Sequence, residues 1–94
     1  MNIYRLDPID PEHPSWSLSA EMETLWTAAP SSREARDLVA GKTWRGPHAG
    51  ADGAPVPQSP WQIAGVASCE LEPTMSHIHP GIVVRADGSR VEDN

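Results

Sequence analysis

Ten prolines divide this 94-residue chain, and their spacing limits what it can fold into more than any other feature. Each proline removes a backbone donor and pushes the preceding residue toward extended geometry, so regular structure has to fit between them. Pro8, Pro11 and Pro14 crowd the stretch "DPIDPEHP" at 7–14, which is expected to be a turn or an irregular edge segment. Ahead of it, "NIYRL" at 2–6 has the β-branched and aromatic content of a short strand. After it, "SWSLSAEME" suggests an extended piece around Trp16 and Leu18.

Pro30 separates the next two elements. Glu23 to Ala29 alternates as a strand, and Ser31 followed by Glu34 is a capping box that opens a helix. Ala35, Leu38 and Val39 fall on one helical face, while Arg33, Arg36 and Asp37 are expected to face water. Gly41 is placed to end the helix. The strand, capped turn and "REARDLVAG" helix resemble a building block of small bacterial α+β proteins, one that covers about a fifth of the chain and specifies no activity.

From Gly46 to Pro60, seven of fifteen residues are Gly or Pro, which predicts a long mobile loop at 46–60. Beyond it "WQIAGVASCELE" alternates: Trp61, Ile63, Ala67, Cys69 and Leu71 share one face, and Gln62, Ser68, Glu70 and Glu72 the other. That is the pattern of a half-buried antiparallel strand. Pro73, Pro80 and Gly81 mark a turn, and Asp87-Gly88 inside "IVVRADGSRVE" signals a two-residue type I′ hairpin. The order predicts one small α+β domain over 1–94: a mainly antiparallel sheet of about four strands with one principal helix on one face.

The core is thin. Leu, Ile and Val supply 16 of 94 residues and Phe none, while four tryptophans carry much of the remaining apolar area. Trp26 and Trp61 lie in predicted strands and are expected to be buried; Trp16 and Trp44 flank irregular segments and are expected to be partly exposed. The net charge of −6 disfavours general attraction to nucleic acid or to an anionic membrane. A single cysteine cannot form an internal disulfide, and "MNIYRLDPID" lacks a basic region followed by a long apolar stretch, so the expected setting is the cytoplasm.

Three groups of residues could carry function. His77 and His79 would point to the same side of an extended strand, about 7 Å apart, and are the candidate metal ligands. The alternation that places Glu70 and Glu72 outward turns Cys69 inward, removing the thiol from such a site and from nucleophilic catalysis, because apolar surroundings raise a thiol's pKa. Arg33, Arg36, Lys42 and Arg45, four of the seven basic residues, lie within thirteen positions beside Trp44, a local patch that could contact nucleic acid. Tryptophan and arginine are also the residues most often found as interface anchors. Trp16, Trp44, Arg33 and Arg36 are therefore the candidate interaction residues. No catalytic set and no cofactor site is predicted. The leading expectation is a non-enzymatic module that uses one sheet face or an exposed strand edge to hold a protein partner or a second copy of itself, with metal binding through His77 and His79 as the alternative.

Overall fold

The computed structural model describes residues 1–46, 58–74 and 78–91. Four antiparallel strands, β1 (Asn2–Pro8), β2 (Leu25–Ala29), β3 (Ala67–Leu71) and β4 (Val83–Arg85), form one sheet in the order β3-β1-β2-β4. The one α-helix among the described residues, α1 (Ser32–Thr43), packs on one face, giving the predicted α+β architecture. Most of the expected 46–60 loop, at 47–57, lies outside the described residues.

Sheet register divides the side chains between two faces. Tyr4 stands opposite Thr27 and Leu71, Leu6 opposite Leu25 and Cys69, and Thr27 opposite Val83. These positions face the helix, and Leu6, Leu25, Thr27 and Val83 are at most 1% exposed. The helix returns Ala35, Val39, Ala40 and Thr43 to that layer, with Leu38 packed at its margin. Buried hydroxyls are paired: Thr27 Oγ1 donates to the Ile82 carbonyl at 2.9 Å and Thr43 Oγ1 to the Val39 carbonyl at 2.7 Å. Each avoids the cost of an unpaired polar atom in the core.

Several boundaries differ from the sequence expectation for identifiable reasons. β1 runs on through Asp7 to Pro8, because β2 has already ended opposite Leu6 and the proline's missing donor breaks no bond there. The helix starts where predicted, with Ser31 Oγ accepting from the Glu34 N–H at 3.2 Å, but the capping box is only half formed: Glu34 Oε2 accepts from Ser31 Oγ at 3.3 Å and not from the Ser31 N–H. It passes Gly41 and ends at Thr43, because Ala20 N–H donates to the Thr43 carbonyl at 2.7 Å and Arg45 N–H to the Leu18 carbonyl at 2.9 Å. A tertiary bridge, Ser19 to Trp44, thus sets the helix end in place of a glycine cap.

The segment around Trp16 is a 3₁₀ turn (Pro14–Leu18), not an extended piece. His13 Nδ1 accepts from the Ser15 N–H at 3.1 Å and closes its start. The predicted long strand from Trp61 shortens in the same way. Pro60–Gln62 forms a second 3₁₀ turn held by a capping box between Ser59 and Gln62, and only Ala67–Leu71 remains extended. The C-terminal hairpin is not type I′: among the described residues none other than glycine has positive φ, so Asp87 does not occupy such a turn. Arg85 C=O accepts from the Gly88 N–H at 3.0 Å, Gly88 takes φ 88°, and Arg85 N–H donates to the Ser89 carbonyl at 2.8 Å. This is a three-residue loop in which the glycine alone bears the left-handed backbone.

Candidate functional site

The tryptophans separate core from surface differently from what their neighbours suggested. Trp16 is only 4% exposed, its indole N–H donating to the Asp10 carbonyl at 2.7 Å. Its ring meets Trp61 edge-on, with centroids 5.1 Å apart at 90°. Trp61 is fully buried and donates to Ser19 Oγ at 3.0 Å. The 3₁₀ turn around Trp16 is therefore pinned to the core by this pair, and Trp16 is not available as a surface anchor. Trp44 is half-buried, its ring lying so close to Gly46 that a Cβ there would come within 2.5 Å of it. Trp26, expected inside, lies half-buried on the sheet face opposite the helix, where its indole N–H donates to Glu72 Oε1 at 3.3 Å.

The basic cluster also divides. Arg33 is exposed. Arg36 is only partly exposed: its Nη1 donates to the carbonyls of Trp61 at 3.0 Å and Ala67 at 2.7 Å. A helical side chain lies over the turn preceding its own Cα, and in this fold that direction carries Arg36 to the start of β3. The guanidinium joins the helix, the second 3₁₀ turn and the sheet, so it is committed to the interior framework.

His77 lies outside the described residues. His79 is exposed and opens a turn closed by Ile82 N–H donating to the His79 carbonyl at 3.3 Å. Among the described residues no group of three or more His, Cys, Asp or Glu side chains could hold a metal ion. Cys69 points toward the helix as predicted, its Sγ donating to the Ser32 carbonyl at 3.7 Å. Burial pushes its thiol pKa up, and the Arg36 guanidinium partly offsets that rise.

The sheet face away from the helix carries a different chemistry. Arg5 Nε pairs with Asp7 Oδ2 at 2.9 Å, and its two Nη atoms approach Glu70 at 3.4 Å and Glu72 at 3.9 Å. One cation among three carboxylates leaves this cluster at net −2. Asp7 also accepts from Thr24 Oγ1, and Glu72 from Thr74 Oγ1 at 3.1 Å; Glu70, with 66% of its side chain exposed, is the freest of the three. Beside the cluster a shallow cleft of about 440 Å³ is lined by Met1, Ile3, Leu71, Pro73 and Ile78. Met1 and Leu71 are the most exposed large apolar residues described, at 73% and 62%. A second cleft of about 410 Å³, which shares Ile78, is lined by Trp26, Val84, His79 and Arg90 among others.

The two edges of the sheet are treated unequally. At β4 the returning chain covers the outer backbone groups, with Val91 N–H donating to the Val83 carbonyl at 2.8 Å and Arg85 N–H to Ser89. At β3 the register fixes which groups point outward. Glu72 N–H donates to the Ile3 carbonyl at 2.8 Å and Ile9 N–H to the Val66 carbonyl at 2.9 Å. Since antiparallel pairs alternate, the even positions 66–72 bond inward to β1, while Ala67, Cys69 and Leu71 present N–H and C=O outward. Ala67 is occupied on both sides: its N–H donates to the Ile63 carbonyl at 3.0 Å and its C=O receives Arg36. Pro73 has no N–H to offer. Among the described residues, an open backbone edge therefore remains at Cys69 and Leu71 alone.

Sequence reasoning allowed for binding at a strand edge but did not identify β3, because alternation reports which face a side chain takes and says nothing of a strand's neighbours. No protein-family model, no curated protein and no solved structure matches the chain. No helix among the described residues is long and apolar enough to cross a membrane.

Proposed function

We propose that this protein is a non-enzymatic protein-binding module that holds another chain, a partner or a second copy, at the β3 side of its sheet. One observation carries the reading: the open edge at Cys69 and Leu71 coincides with an apolar cleft that exposes Leu71 and Met1. An unpaired edge is a template for further strand pairing, and proteins ordinarily cover or charge it. Among the described residues the other edge is covered and this one is left open beside apolar surface. A cytoplasmic setting belongs to the same reading, since the one cysteine is a free thiol turned toward the helix.

Leu71→Asp tests it. At 62% exposure this residue contributes little to the core, so the variant should fold normally while losing whatever the surface holds. Sedimentation velocity from micromolar to millimolar concentration would report self-association, and retention of proteins from the native cell extract would report a partner. The reading fails if the unaltered protein stays monomeric throughout and retains no protein that Leu71→Asp fails to retain.

A further inference from the structure

Resting on that reading, we infer that the occupant of the β3 edge is an extended segment of a different protein, pairing antiparallel with Cys69–Leu71 and carrying Lys or Arg opposite Glu70. The number of open backbone groups sets the register. Cys69 and Leu71 each offer one N–H and one C=O, so an incoming antiparallel strand makes at most four ladder bonds. Arg36 at the Ala67 carbonyl closes the ladder at one end, and Pro73 closes it at the other. The incoming strand is thereby centred on Glu70.

That centring decides between a second copy and a foreign chain. Two β3 strands related by a two-fold axis can use all four groups only if Cys69 pairs with Leu71 of the other copy. The axis then passes through Glu70, which faces its own duplicate. Centring instead on Cys69 would demand the occupied Ala67, and centring on Leu71 would demand Pro73. Glu70 sits at a pair without ladder bonds, where Cα atoms come within about 4.5 Å and side chains are closest. Like charges directly opposite are destabilising and opposite charges stabilising. The surrounding cluster is already net −2, with Arg5 shared among Asp7, Glu70 and Glu72. A basic residue in the incoming strand matches that field, while its neighbours opposite Cys69 and Leu71 fall on the helix side, where apolar side chains can lie against Leu71.

The experiment uses the full chain labelled with ¹⁵N and two nine-residue peptides of alternating Thr and Val, one with Lys at its centre and one with Glu. The Lys peptide should shift the Cys69 and Leu71 amide resonances, slow their hydrogen exchange and bind about five- to tenfold more tightly than the Glu peptide. In Glu70→Lys, an exposed change, the preference should reverse. The inference is overturned if neither peptide moves those two amides, if both bind equally, or if the peptide-free protein forms a homodimer that protects them. Should peptides fail while Leu71→Asp still abolishes partner capture, the partner uses the apolar cleft and not the edge. The proposed function would then stand and this inference would fall.

Discussion

Arg36 shows how a residue's role is set by what its side chain reaches. By periodicity it belongs to the solvated face of α1, yet it donates to two carbonyls from separate segments. Hydrogen bonds to a charged group contribute about 1.5–3 kcal/mol, so Arg36→Ala should destabilise the fold by about 2 kcal/mol in urea unfolding, whereas Arg33→Ala should stay within about 0.5 kcal/mol. Cys69 gives a pH signature. Its thiol pKa is raised by burial, so the folded chain holds the proton more tightly than the unfolded chain does. That contribution is complete below the ordinary thiol range and is lost as pH rises through the raised value. Urea unfolding at a series of alkaline pH values should therefore show a shallower loss of stability in Cys69→Ala than in the unaltered protein. The inward turn of Cys69 was legible in the alternation of "ASCEL"; the engagement of Arg36 was not, since its partners lie 25 and 31 residues away.

The helix start, set by local chemistry, was readable, and its end, set by a distant contact, was not. The Ser31 cap is a local hydrogen bond, and the start of α1 follows the sequence to the residue. Its end depends on Ala20 reaching Thr43, which no window around Gly41 contains. Trp61 kept its predicted burial but lost its strand, because the Ser59–Gln62 capping box and Pro60 favour a 3₁₀ turn. In the hairpin, Gly88 carries φ 88° with open space where a Cβ would stand, so only backbone strain opposes substitution. Gly88→Ala should cost about 1–2 kcal/mol, seen as a lower urea midpoint and faster exchange of the Arg85 amide that bonds Ser89.

For the molecule as a whole, a core with few large aliphatics rests on the Trp16–Trp61 pair between the 3₁₀ turns and the helix. Truncating a buried aromatic costs about 3–5 kcal/mol, and a domain of this size has roughly 5–14 kcal/mol in total. Trp61→Ala should accordingly lower Tm by at least about 12 °C in a calorimetric scan. The sequence by itself determined the α+β class, the start of the capped helix and the inward turn of Cys69, because propensity, capping and alternation act within a few residues. Only the tertiary structure decided the strand order β3-β1-β2-β4, the burial of Trp16, the recruitment of Arg36 and the unequal treatment of the two sheet edges. Each of these depends on which distant segment lies alongside, and a strand's own residues do not encode whether a neighbour will cover it.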